Sequence, residues 1–522
     1  MRRRHLLRAA ALAPFAPRLA TAEASKTLNF VPYADVAAVD PIWSSTYATR
    51  THALAVFDTL YGTDEALAVQ PQMVEGHVTE NDGRLWRLTL REGLVFHDGQ
   101  KVLARDCTAS LERWGKRDAF GQSLMDATDE LSAPDDRTIL FRLKRRFPLL
   151  TEALGRASSL VPVIMPERLA RTDPFRQVPE VIGSGPFRYL PGERVPAARV
   201  VYEKHAAYRP REGRPSFTAG ARAAYLDRIV FNVMPDPAAA AAALQAGEVD
   251  WIEQPMIDLL PLLRRHRDIV VEVKDPTGMV GQMRFNHLHP PFSNAAIRRI
   301  VLAAVSQQDC MTAVAGSEGA LWRDGVGAFL PGAPMANDAG LPRPPRDVAA
   351  LRRALDAAGY GGERVVFLAA AEVPRIAAVC EVTRDVLVQL GLNVDFVQAD
   401  WGTIGARTTS KETVDRGGWS CYCTYVSGLD MMTPATHAGL RANGPRAAAG
   451  WPDSPAIEAL RARWFAASDL AAQRALCREL QLQAWQDVPF VPLGLFTQPV
   501  AYRRSLTGML RGVPVFTNLR KA

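Results

Sequence analysis

Apolar and polar residues alternate from Leu85 to Arg91. Trp86, Leu88 and Leu90 fall on one side, and Leu85, Arg87, Thr89 and Arg91 on the other. A period of two is that of a strand. Val95 and Phe96 predict a second, short strand, and Asp98-Gly99 supplies the positive φ of a tight turn after it. The period then changes. Cys107, Leu111 and Trp114 stand at i, i+4 and i+7, one apolar face of a helix. Asp106 is placed to cap that helix by accepting the free N–H groups of its first turn. His97 and Asp98 therefore read as turn residues.

The same reading finds two strand–helix–strand units. Tyr225–Val233 predicts a strand, "DPAAAAAALQAGEVD" a helix with Pro237 in its first turn and Gly247 at its end, and "VDWIE" a second strand. In the other half, Arg364–Ala370 predicts a strand. Ile376, Val379, Cys380, Thr383, Val386, Leu387 and Leu390 recur at helical spacing, Gly391 stops the helix, and Leu392, Val394 and Phe396 alternate as a strand. A helix-rich stretch separates the units, with "SNAAIRRIVLAAV" and "DVAALRRALDAAGY" both amphipathic. Two α/β lobes follow. "VEVKDPTGMVGQMRFN" and "DVPFVPLGLFTQPVAYRR" are extended and apolar, fit to cross from one lobe to the other. Phe329–Asp347, rich in Pro and Gly, predicts an exposed loop.

Length agrees with more than one core: 522 residues exceed what a single domain usually holds. The first 24 residues differ from the rest. A basic start, an apolar middle and small residues at the end read as an export signal, with a basic amphipathic helix on a membrane surface as the alternative. Arg3-Arg4-His5-Leu6-Leu7-Arg8 resembles the twin-arginine pattern, and no cysteine near the cleavage site suggests a lipid anchor. Its removal leaves 57 basic and 54 acidic side chains, so the net charge falls from +7 to +3. That is too little to argue for nucleic acid. No later apolar run is long enough to span a bilayer. The six cysteines show no zinc or disulfide spacing, and Cys107, Cys380 and Cys477 sit in helical apolar patterns.

Six stretches, in order, resemble one family. They are Leu28–Pro41 ending "VDP", "VFDTLYG", "LREGLVFHDGQKVLARDCTASLERW", "IGSGPFRY", "MRFNHLHPPFSNAAIRRIVLAAVSQQDCM" and "VPFVPLGLFTQPVAYRRSLTGM". The chain is similar to the family 5 extracytoplasmic solute-binding proteins of ABC importers, the group of dipeptide, oligopeptide and nickel receptors. The resemblance implies a two-lobed periplasmic binding protein, type II-like and of cluster C, with an extra subdomain on the first lobe. It implies no enzyme activity, no cofactor, a monomer in the periplasm, a small-molecule or peptide ligand, and an ABC permease as partner. It divides the chain into the signal at 1–24, lobe I at 25–48, the subdomain at 49–182, lobe I again at 183–276, lobe II at 277–488 and a return to lobe I at 489–522.

The family's cleft segment matches "GGWSCYCTYVSG". Gly418, Trp419 and Ser420 fall where backbone pairing with a peptide occurs, and Trp419 supplies a flat wall, a core role being its alternative. Peptide receptors carry an aspartate three residues after this tryptophan, to hold the ligand's amine. Here Tyr422 stands there, and a phenol carries no charge near neutral pH. Arg375 lies close to the family's carboxylate-binding arginine, with a solvated helix-start arginine as the alternative. Tyr33, Ala34 and Asp35 follow the opening strand and are expected to face the cleft, as are Trp43 and Tyr47. The nearest rival is a metal receptor, for which His287-x-His289 and Cys421-x-Cys423 are the only ligand-like pairs. An exported hydrolase is less supported, since G-x-S-x-G, H-E-x-x-H and Walker motifs are missing.

Overall fold

The structure is a computed structural model and describes residues 26–316, 318–341, 347–467 and 469–522. The expected export signal, residues 1–24, lies outside the described residues. Two large mixed sheets organise the fold. The first has seven strands in the order Ile269–Val273, Pro499–Arg503, Trp251–Ile252, Thr27–Val31, Arg228–Asn232, Arg199–Lys204 and Phe187–Tyr189. The second has six, in the order Trp322–Arg323, Phe490–Phe496, Met279–Phe285, Cys421–Ser427, Arg364–Ala370 and Asn393–Ala399. These are lobes I and II.

The strand–helix–strand units supply the parallel parts of each sheet. In lobe I, strand Thr27–Val31 runs parallel to both 228–232 and 251–252, so helix Pro237–Ala246 crosses over it. The Asp236 carboxylate accepts from the Ala238 and Ala239 amides, and Gly247 ends the helix at φ 82°. Phe30 packs at the centre, with its ring 4.8 Å from those of Phe231 and Trp251 and 5.2 Å from that of Phe516. In lobe II, helix Pro374–Leu390 links the parallel neighbours 364–370 and 393–399.

Two crossings join the lobes. Residues 274–278 connect strand 269–273 to strand 279–285, and residues 497–498 connect 490–496 to 499–503. The crossings lie against each other at Gly278. Its φ is 60°, and a first side-chain carbon there would sit 2.5 Å from the Phe496 carbonyl oxygen. Only glycine fits both demands.

A separate antiparallel sheet of Val74–Glu80, Leu85–Leu90, Thr138–Leu143 and Thr128–Ser132 carries helices Ala104–Gly115 and Ala119–Ala127. Asp98-Gly99 makes the expected turn, with Gly99 at φ 84° and the Phe96 amide on the Gln100 carbonyl at 2.8 Å. Three local expectations need correction. Val95 and Phe96 form no strand, since only a single bridge joins Val95 to Lys101. Asp106 is not the cap, because the helix begins at Ala104. Its carboxylate reaches back to the Leu103 amide and across to the Glu167 amide, both at 2.8 Å. Finally, the Pro/Gly-rich segment is not simply exposed. Phe329, Leu330, Met335 and Ala339 are buried, because Gln481 accepts from the Ala328 amide and donates to the carbonyls of Asn337 and Ala339. All six cysteines are buried.

Candidate functional site

Helix Tyr47–Val56 positions the lobe I side of the gap. Every residue from Ala48 to Val56 is buried, packed into the lobe I core. The Tyr33 hydroxyl stands at its N-terminus and accepts from the Tyr47 amide at 3.0 Å, satisfying one of the helix's free donors. Tyr47 itself points across the gap. Its hydroxyl accepts the Ser427 amide of the lobe II strand and donates to Asp430 Oδ2 at 3.3 Å. One turn on, the Arg50 guanidinium lies 4.5 Å above the Tyr47 ring.

A cavity opens here, at the lobe junction. Its lining comes from the helix (Tyr47, Arg50), from residues after strand 251–252 (Glu253, Gln254), from both crossings (Lys274, Asp275, Gly278, Gln498), from Ser427 and from the C-terminal segment 509–515. Arg50 is 6% exposed, and among the described residues its Nε and Nη1 have no hydrogen-bond partner. Among the described residues no carboxylate is within ion-pair distance of it. Glu253 is also buried. Its Oε2 accepts the Tyr33 amide at 2.9 Å, yet loss of solvent still pushes its pKa up to about 7. The Gln498 Oε1 atom is buried and unpaired.

Other side chains tie the lobes together around this cavity. From lobe II, Arg375 Nη1 donates to Gln254 Oε1 at 3.0 Å, and its guanidinium lies 5.5 Å from the Phe496 ring. Burial lowers this arginine to about 10, and among the described residues no carboxylate pairs with it. Arg156 pairs with Asp118 and, at 2.8 Å, with Asp430 of lobe II. Arg441 donates to Gln122 at 2.9 Å, and Phe465 stacks on Phe147 at 5.7 Å. The lobes are thus in contact.

Of the residues expected from the sequence, Tyr47 lines the cavity and Arg375 reaches its edge through Gln254. Others lie elsewhere. Trp419 is fully buried within lobe II, 5.3 Å from Tyr422 and 6.1 Å from Trp451, with its indole donating to the Ser410 carbonyl. The main chain around it is engaged inside that lobe. The Gly418 amide donates to Thr413, the Ser420 amide to Val366, and the Trp419 carbonyl accepts from Asn286. These groups are not free to pair with a ligand strand. Tyr422 stands beside Arg284, whose Nη2 donates to the Ala449 carbonyl. Asp35 accepts the Ala197 amide, away from the cavity, and Ala34 is half-buried beside it. Trp43 is 36% exposed and packs under Arg117.

Residues 68–439 match the profile of the bacterial extracellular solute-binding proteins, family 5 Middle. The chain belongs to this family. Along 98% of its length it is 34% identical to a probable peptide ABC transporter periplasmic-binding protein of Sinorhizobium fredii, covering 97% of that protein. Two solved structures share the fold. A binding protein from A. tumefaciens R10 in complex with agropinic acid superposes with a TM-score of 0.79 at 21% identity, over 95% of this chain and 99% of that one. A periplasmic binding protein of Helicobacter pylori in complex with the peptide STSA gives 0.78 at 20% identity, over 95% and 98%. Members of the family are transport receptors, not enzymes.

The binding protein's cavity includes residues that sequence reasoning missed. Arg50 had a signal: positions 46, 47, 53 and 54 around it carry no acid for an i±3 or i±4 pair. Glu253 had none, since "VDWIE" reads as any strand end. The pairs considered for metal do not assemble. His289 bonds the Lys411 carbonyl, His287 is buried, and among the described residues no group of three His, Cys, Asp or Glu stands close enough to hold an ion.

Proposed function

We propose that this protein is the periplasmic substrate-binding component of an ABC importer. It captures a peptide or peptide-like solute between its lobes and delivers it, as a monomer, to a membrane permease. The observation that carries this reading is the cavity at the two crossings, shut by Tyr47 reaching from lobe I to the main chain of strand Cys421–Ser427. Two short connections form a hinge, and a ligand that contacts both lobes favours the closed arrangement by its differential affinity. The peptide named for the Sinorhizobium relative and the peptide held by the Helicobacter structure support the cargo class.

Lobe II offers no carboxylate at the position of Tyr422. The reading therefore does not require a free amine anchored there, and peptide-like acids of the agropinic kind fit as well. Export by the twin-arginine route belongs to the same proposal. The test is native mass spectrometry of protein purified from its own periplasm. A co-purifying peptide or peptide-like acid is the expected result. A consistent co-purifying metal complex, or turnover of ester or peptide substrates, would overturn it.

A further inference from the structure

Resting on that reading, we propose that Arg50, on lobe I, is the anion-binding residue of the cavity and takes a carboxylate of the cargo. A buried cation without a counter-ion costs far more than an exposed one, and folded proteins rarely keep one without a reason. Arg50 has two buried N–H-bearing nitrogens unpaired and lines the cavity. Among the described residues no neighbouring acid makes an ion pair with Arg50, although Glu253 is near enough for the two charges to favour each other. Lys274 pairs with Glu272 at 2.9 Å, Asp275 accepts the Thr277 amide and hydroxyl, Asp430 pairs with Arg156, and Glu253 accepts the Tyr33 amide. The guanidinium is held from one side by the Tyr47 ring, which leaves its planar fork to meet a planar two-oxygen partner. A monoanion suits the site better than a dianion. One guanidinium neutralises one charge, and Glu253 on the same wall repels a second.

The test uses the mature protein and a defined library of di- to tetrapeptides, made once as free acids and once as C-terminal amides, read by native mass spectrometry. Wild type should retain the acids at least about tenfold better than the amides, the span of one charge-assisted contact. Arg50→Gln should lose that preference, and Arg50→Lys should keep part of it. Arg50→Met provides a readout that needs no cargo. If the arginine is unpartnered, the ligand-free variant melts no lower than wild type. Wild type that binds acids and amides alike sinks the subsite and leaves the peptide reading standing. So does an Arg50→Gln variant that keeps the preference, or an Arg50→Met variant that melts well below wild type. Wild type that binds neither set sinks the peptide reading and the subsite with it.

Discussion

Closure of the lobes can be tested at Asp430 without knowing the cargo. Its Oδ1 receives Arg156 Nη2 at 2.8 Å, and its Oδ2 receives the Tyr47 hydroxyl. Both partners come from the other side of the gap. The side chains of the ion pair are only 8% and 13% exposed, so solvent screens it weakly. Asp430→Asn keeps the shape and an acceptor but removes the charge. Arg156 is not stranded, because Asp118 still pairs with it. The loss is therefore that of one charge-assisted contact, about 1.5–3 kcal/mol, rather than that of an orphaned buried charge. If the contact exists only when the lobes meet, the closed-to-open ratio falls by about 10- to 150-fold at 1.4 kcal/mol per tenfold. Small-angle scattering of the ligand-free variant should show a larger radius of gyration than wild type. Cargo recovered from the native protein should bind more weakly by the same factor, chiefly through faster dissociation. Unaltered scattering together with affinity within twofold of wild type would refute the argument.

Four further outcomes follow from buried groups. Glu253 has a folded pKa raised from 4.5 to about 7 by desolvation, so its contribution is fully present below 4.5 and is lost as pH rises through 7. Glu253→Gln should match wild type in urea unfolding at pH 4.5 and exceed it by up to about 3 kcal/mol at pH 8. His52 and His437 are fully enclosed and held to about 3 by burial, which makes both neutral in the fold. Stability should fall as pH drops below 6.5, by about 1.4 kcal/mol per unit for each ring, and His52→Phe should flatten that slope in acid titrations followed by circular dichroism. Asp40 receives both terminal nitrogens of Arg113, at 2.8 and 3.1 Å, with both side chains almost wholly buried. Asp40→Ala should cost about 3–5 kcal/mol in urea unfolding by leaving Arg113 uncompensated. Trp419→Ala should cost about 3–5 kcal/mol as well, through the hole left in lobe II, and calorimetric affinity for cargo should change little in whatever fraction stays folded.

The strand–helix–strand units were legible because each carries its own punctuation. Asp236, Pro237 and Gly247 start and stop one helix using contacts within a few residues, and Gly391 ends another at φ 95°. The Asp98-Gly99 turn is local in the same way. Asp106 was misread as a cap because its side chain serves two amides at once, one of them 61 residues away at Glu167. Trp419 shows the limit of carrying a family role over by position. The motif places it correctly in the chain, at the entry to strand Cys421–Ser427, but its side chain direction is set by Trp451 and the Ser410 carbonyl, which no local pattern announces.

The cavity was harder still, for a physical reason. Its polar groups come from residues 47, 50, 253, 254, 274, 275, 427 and 498, which meet only when two crossings of five and two residues bring the sheets side by side. The residues around Arg50 give no positive sign that its guanidinium will be enclosed. What marks it is a deficit: a cation in a short helix with no acid one turn away in either direction. Arg375, the other arginine at the cavity's edge, meets Gln254 and an aromatic ring instead of a carboxylate. Among the described residues neither guanidinium makes an ion pair, so the closed arrangement leaves both without an acid partner. The acid that completes the closed arrangement is thus best supplied by the cargo, and this links its charge to the position of the hinge.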